Sequence, residues 1–227
     1  MTLFKKIDLS HARRVFVVGD IHGAFSKLMK ELTLVNFNPK AGDHLLSVGD
    51  LVDRGPENHR VLEFLGYDWF HAIQGNHEEM HYNIRYADTL AIPQNGGLWA
   101  SKLSPSEYFD YKRAFENLPV LMEVLTPSGK RIGLAHATYP AQSWAFAEEV
   151  ARTHKPTIVW DRSYLRGIQY DMAQGKAIND SEYIVEDIDE VYYGHTPLKV
   201  AISAGNQHWI DTGGVFGEGK FTVVEVT

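Results

Sequence analysis

With 227 residues, 44% of them hydrophobic and 22% charged, the chain has the size and make-up of one folded globular domain, which excludes a disordered or fibrous protein. A formal net charge of -7 without any lysine- or arginine-rich run argues against a protein that tracks a nucleic-acid backbone. The absence of cysteine excludes disulfides, thiolate metal ligands and a cysteine nucleophile.

Met1 to Ser10 carries two lysines but no apolar run of signal-peptide length, and nowhere do about 18 apolar residues follow one another, so a cytoplasmic protein with no membrane partner is expected. Val15 to Val18 then reads as a strand ending in Gly19-Asp20, and Leu28, Met29, Leu32 and Val35 have helical spacing. Leu45, Leu46 and Val48 form a second strand-like run ending in Gly49-Asp50, followed after Pro56 by a helix through Val61, Leu62, Phe64 and Leu65. Trp69 to Ile73 is a third run, ending in Gly75-Asn76-His77. Residues 78–118 predict a mainly helical, cap-like segment interrupted at Pro93 to Gly97, with Tyr82, Tyr86, Trp99, Tyr108, Phe109, Tyr111 and Phe115 as its aromatic residues. These aromatics are expected to pack.

Beyond Pro119 the pattern turns to strands at Val120 to Leu125, Ile132 to Ala135, Val191 to Tyr193, Lys199 to Ile202, His208 to Ile210 and Phe221 to Val226, with helix and loop between Ala141 and Ile184. The predicted fold is therefore α/β (α+β): a single domain over residues 1–227, built on a two-sheet β-sandwich core flanked by helices.

Chemistry concentrates in three loops. Gly19-Asp20-Ile21-His22-Gly23, Gly49-Asp50-Leu51-Val52-Asp53-Arg54-Gly55 and Gly75-Asn76-His77-Glu78 each follow a strand-like run, and in open α/β sheets ligands bind at that edge. A single Gly-Asp pair reads first as a turn or helix cap. Three at neighbouring strand ends crowd carboxylates together, which raises their pKa values and costs stability unless cations neutralise them. Bound metal resolves the conflict.

The trio GDIHG, GDLVDRG and GNHE resembles the metallophosphoesterase superfamily, and within it the serine/threonine phosphoprotein phosphatase family. The compact phage and enterobacterial members share further features with this chain: Leu118-Pro119, His136-Ala137, Ile158-Val159-Trp160, Gly194 to Pro197 and Ile210 to Gly213. The resemblance runs from about Lys6 to Val226. It implies a calcineurin-like fold with Asp20 and His22 on a first metal, Asp50 bridging, and Asn76, His136 and His195 on a second. Oxygen donors mixed with imidazole suit two divalent ions, Mn²⁺ first, with Fe, Zn, Ni or Co as other occupants. The implied reaction is hydrolysis of phosphoserine or phosphothreonine in proteins or peptides by a metal-bound hydroxide, with phosphotyrosine as a further substrate. His77 corresponds to the general acid, Asp53 to the carboxylate that orients it, and Arg54 and Arg162 to the guanidinium groups that clamp the phosphoryl oxygens.

His136 and His195 are ligands by resemblance only, since isolated histidines equally well serve a core. His11, His44, His59, His71, His81, His154 and His208 lack such context and are expected to be structural or exposed, and Glu78 to hold its loop. Eukaryotic members have a glycine-rich pattern where this chain has His136-Ala137-Thr138, and a longer C-terminal region, so no regulatory subunit is implied. Two other readings share the motifs: a symmetric dinucleoside-tetraphosphate hydrolase, and a non-catalytic metal-binding adaptor.

Overall fold

The computed structural model describes residues 3–83, 85, 91–176 and 178–226. Its elements, in chain order, are β1 (Phe4–Asp8), β2 (Arg14–Val18), α1 (Phe25–Leu34), β3 (Asp43–Ser47), α2 (Val61–Leu65), β4 (Phe70–Ala72), α3 (Asn76–Tyr82), α4 (Ala91–Gln94) and α5 (Pro105–Glu116). They continue as β5 (Leu121–Leu125), β6 (Arg131–Ala135), α6 (Ala147–Thr153), α7 (Lys155–Trp160), α8 (Ser163–Ala173), β7 (Glu190–Tyr193), β8 (Ile202–Ala204), β9 (Gln207–Trp209) and β10 (Val223–Glu225). Two sheets result, one of six strands in the order β1-β5-β6-β7-β9-β8 and one of four in the order β10-β2-β3-β4.

The period-2 geometry of a strand assigns each side chain to a layer. Val15 and Val17 of β2 join Leu46, Met122, Val124, Ile132, Leu134 and Tyr192 in a cluster between the sheets. Phe16 and Val18 point the other way, into Phe25, Leu28 and Leu32 of α1, Phe64 of α2 and Phe115 of α5. On the far side, Leu121, Val191 and Tyr193 meet Val150 and Ala151 of α6, Ile158 of α7 and Leu165 and Ile168 of α8. Strands covered on both faces need apolar residues at successive positions, which is why Val15 to Val18 is an unbroken run. Each such side chain, fully buried, contributes about 1.5–3 kcal/mol.

Strands β2, β3 and β4 are parallel, with Val18 opposite Ser47 and Ser47 opposite Ala72. Their C-terminal ends are therefore level, and the three glycine-led loops emerge side by side. Strands β6, β7 and β9 are parallel in the other sheet and lead into His136, Gly194-His195 and Ile210-Asp211.

Some elements differ from the sequence expectation. Strand β1, unread in the sequence, pairs in parallel with β5 at the sheet edge. Its two lysines leave it without an apolar run, and half-exposed edges do not need one. The expected strand at Lys199 to Ile202 lies instead at Ile202–Ala204, where Gly205-Asn206 turns a two-residue hairpin into β9. Val200, the apolar residue behind the earlier placement, is exposed. Within residues 78–118, α5 starts at a capping box in which Ser104 Oγ accepts from Glu107 N and Glu107 Oε2 accepts from Ser104 N. Its Tyr111 and Phe115 enter the apolar cluster beside the four-stranded sheet; Tyr86 lies outside the described residues. Among the described residues no helix is long and apolar enough to cross a membrane.

Candidate functional site

The loops after six strands converge at the shared edge of the two sheets. Close approach of backbone is enforced there: a Cβ on Gly75 would collide with the Asp50 carboxylate, and one on Gly194 with that of Asp20. His22, Asp50, Asp53, Arg54 and His195 all hold positive φ angles, between 47° and 72°. Non-glycine residues adopt such conformations only when their surroundings impose them, and they cluster at functional sites.

Glu78 supplies much of that constraint. Its buried carboxylate accepts from the backbone N–H groups of Asp50 (3.0 Å), Leu51 (2.7 Å), Val52 (3.3 Å) and Gly75 (2.8 Å), tying the second loop to the third. Burial and then the charge of Asp50 push its pKa up to about 6.

Asp20, His22, Asp50, Asn76, His77, His136 and His195 are all buried and face one another. Two groups of potential ligand atoms share Asp50: His22, Asp50 and His77, and Asp50, His136 and His195, the atoms of each lying within 4.8 Å. His77 stands in the first group where the resemblance implied Asp20, whose Oδ2 is 3.9 Å from His22 Nε2. Both Asp20 oxygens also accept from the His195 N–H, at 3.1 and 3.0 Å.

The arrangement of protons tests whether these groups suit a cation. His22 Nδ1 lies 2.8 Å from Val52 O, and His136 Nδ1 lies 2.8 Å from Val48 O. A carbonyl only accepts, so each Nδ1 carries the hydrogen and each Nε2 turns a lone pair toward Asp50. His195 Nε2 is 3.2 Å from Trp160 O; donating there, it presents the Nδ1 lone pair 2.8 Å from Asn76 Oδ1. Asn76 Oδ1 is also 3.0 Å from His136 Nε2, which is 3.3 Å from Asp50 Oδ1. With the rings neutral, lone pairs of His136, His195, Asn76 and Asp50 thus face one another, an arrangement that a divalent cation satisfies. The donor set fits a metal.

Electrostatics agree. Burial, and then Asp211 and Asp50, hold the Asp20 carboxyl well above the ordinary range. Burial works to raise Asp50 too, but the imidazoles of His136, His77 and His22 keep it well below that range. Burial and a neighbouring histidine lower both His22 and His195 to about 3, so both rings are neutral, as ligands must be. Burial opposes protonation of His136, yet Asp50 raises its pKa.

Beside this cluster, His77 Nδ1 sits 2.7 Å from Asp53 Oδ2, which leaves Nε2 facing the site, 3.8 Å from Asp50. Burial works to raise Asp53, but hydrogen bonds from His77 and His81 hold it far below the carboxylate range. Arg54, exposed, sits with Nη1 against His22 Nε2 and its guanidinium over Phe216. Arg162 is half-buried and donates to Thr196 Oγ1 at 3.1 Å; burial lowers its pKa, against the pull of Asp50 and Asp20.

Three residues at the site escaped the sequence reading. His81, expected to be structural or exposed, is buried and places Nε2 2.9 Å from Asp53 Oδ1, and Trp99 donates its indole N–H to the same oxygen at 2.7 Å. The spacing of His77 and His81, one helical turn apart on α3, was the available signal. Asp211 lies buried near Asp20, and among the described residues its Oδ2 has no hydrogen-bond partner; the Ile210 to Gly213 string that carries it resembles the family without marking the carboxylate. Glu78 holds its loop as expected.

The Calcineurin-like phosphoesterase family model matches residues 13–199. The chain is 35% identical to serine/threonine-protein phosphatase 1 of Salmonella typhimurium, over 99% of this chain and 97% of the relative. It is 34% identical to serine/threonine-protein phosphatase 2 of Escherichia coli, over 93% of each. Symmetrical bis(5'-nucleosyl)-tetraphosphatases of Coxiella burnetii match at 41% identity over only 27% of this chain and 21% of theirs. Among solved structures, one provisionally named a diadenosine tetraphosphatase superposes with a TM-score of 0.68 at 19% identity, covering 100% of this chain and 94% of that one. A cold-active protein-tyrosine phosphatase of a psychrophilic Shewanella reaches 0.60 at 13% identity, covering 100% of this chain and 78% of that one. With the strand-end loops, the shared Asp50 and a match across most of the sequence in agreement, the chain belongs to the calcineurin-like phosphoesterase family.

Proposed function

We propose that this chain is a phosphoprotein phosphatase that hydrolyses phosphoserine and phosphothreonine monoesters in the cytoplasm, using two divalent ions, Mn²⁺ by preference. The observation that carries the reading is the two groups of potential ligand atoms that share Asp50, one of them including His77, whose other ring nitrogen is held by Asp53. Asp20, His22 and Asp50 would hold one ion, and Asp50, Asn76, His136 and His195 the other. When bound, such ions acidify water and offset phosphoryl charge.

The chain's own residues do the rest. Arg162, and Arg54 once swung off His22, bind the phosphoryl oxygens with forked donors that stay charged at any working pH. They turn the ester so that its serine or threonine oxygen faces His77 Nε2. As a water oxygen bonds to phosphorus and the P–O ester bond breaks, the electron pair of that bond passes to the leaving oxygen, which takes the Nε2 proton and departs as a neutral alcohol. Asp53, fixed on Nδ1, sets the ring plane and stabilises the imidazolium before transfer. Glu78 keeps the loops bearing Asp50 and Asn76 in register.

The test is phosphate release from phosphoserine peptides and from p-nitrophenyl phosphate, with Mn²⁺ and after chelation. Turnover is expected only with metal, and activity that survives exhaustive chelation overturns the proposal. The local match to tetraphosphatases makes diadenosine tetraphosphate the competing substrate, and a preference for it over the phosphopeptide would favour that reading. Metal binding without turnover of any phosphoester would favour an adaptor.

A further inference from the structure

Asp53 is more heavily engaged than orientation of one histidine requires. Its Oδ2 contacts His77, while its Oδ1 receives both His81 Nε2 at 2.9 Å and the Trp99 indole N–H at 2.7 Å. The carboxylate is fully buried, so its remaining freedom, rotation about the Cβ–Cγ bond, is removed by two donors on the oxygen His77 does not use. The donors are themselves held. The His81 ring lies in an aromatic box, its centroid 5.4 Å from that of Trp99, 5.9 Å from Tyr108 and 5.8 Å from Phe115. Its Nδ1 is 3.2 Å from Tyr108 Oη, and Trp99 packs edge-on against Tyr111 at 5.2 Å.

We propose that His81 and Trp99 are positioning residues for protonation of the leaving group: by fixing Asp53 Oδ1 they aim His77 Nε2 at the departing oxygen. This rests on the phosphatase reading above. Trp99 lies in the 3-10 turn Gly97–Lys102 and Tyr108 on α5, so the helical segment beyond α3 is coupled to proton delivery rather than only to packing. A bare apolar role for His81 and Trp99 would have no need of two polar contacts converging on one oxygen.

The two functions separate by leaving group. An alkoxide from phosphoserine leaves only with a proton, whereas p-nitrophenolate is a stable anion that departs without one. With Mn²⁺ bound, Trp99→Phe and His81→Phe should each lower kcat on a phosphoserine peptide by about 10–100-fold, less than removal of the acid itself. On p-nitrophenyl phosphate the fall should be no more than about threefold, because loss of proton delivery is the effect removed. His81→Gln, which can still donate to Asp53, should recover much of the peptide rate. Equal losses on both substrates, or an undiminished peptide rate, overturn the proposal. If His81→Phe fails to fold, Trp99→Phe decides by the same comparison. Wild-type protein that turns over neither substrate with metal removes the phosphatase reading and this inference with it, an outcome visible before any variant is made.

Discussion

At the scale of single residues, the site divides labour among side chains with opposite electrostatic needs. His22 and His195 are kept neutral by burial and by neighbouring imidazoles, so that they offer lone pairs. His77 instead turns Nδ1 to the Asp53 carboxylate, itself held anionic, and leaves Nε2 facing the site. Replacing His77 by Asn should preserve the fold and lower kcat on phosphoserine peptides by about 10²–10⁴, the range for loss of a general acid. Steady-state kinetics on a variant with wild-type thermal stability would check this; an unchanged kcat would remove His77 from the role. Asp20, His22, Asp50 and Asn76 were legible in the sequence because each directly follows a glycine or a Gly-led strand end, so local pattern alone located them. His81 and Trp99 were not. Their partner, Asp53, is 28 and 46 residues away, and nothing in a helix or in an aromatic-rich stretch marks which side chains turn toward a distant carboxylate.

At the scale of elements, the strands were readable where both faces are covered and unreadable where one is not. The apolar runs of β2, β3, β5, β6 and β7 stand out, while β1 at an edge carries too few apolar residues to announce itself. A polar exception sits on the inter-sheet face: His44 of β3 and His71 of β4 stack nearly parallel, centroids 5.3 Å apart, with Nδ1 of one 3.1 Å from Nε2 of the other. Burial, and then His44, lower His71 from 6.5 to about 4. Between those values the unfolded chain binds the proton that the folded strand pair refuses. Stability therefore rises with pH across this window, is complete above about 6.5, and is lost as pH falls toward about 4, by at most ~1.4 kcal/mol per pH unit for this group. Urea unfolding of wild type and His71→Gln across that range measures it. The variant should show the shallower dependence, and parallel curves would contradict the assignment.

For the molecule as a whole, the cost of gathering Asp20, Asp50 and Asp211 in a buried place means that metal and fold support each other. A ligand bound only by the folded state stabilises by about 2.7 kcal/mol at one hundred times its Kd. For a chain of this length that corresponds to a rise in Tm of roughly 5–10 °C. Calorimetry with excess Mn²⁺ and with chelator should show a gap of that size, and Asp50→Asn, which touches both groups, should close most of it. Coincident Tm values would mean that the lone-pair groups do not take up the ion. The layered architecture was legible at this scale, because alternating and continuous apolar runs dictate which faces are covered. The pairing order of the strands was not, since it depends on contacts between residues far apart.

That pairing order has a consequence for biosynthesis. β10 lies antiparallel to β2, with Val223 opposite Val18 and Glu225 opposite Phe16, and the ligand-bearing loops run from Asp20 to His195. On the ribosome, Asp20 and Asp50 emerge early, yet the second half of their metal cradle and the strand that covers the edge of β2 are still untranslated. Until β10 is made, the edge of β2 that it covers lacks that partner strand, and an uncovered strand edge is the kind of surface that captures other strands. Asp20, His22, Asp50 and His77 are made early, whereas the group that Asp50 forms with His136 and His195 is complete only once His195 has been synthesised.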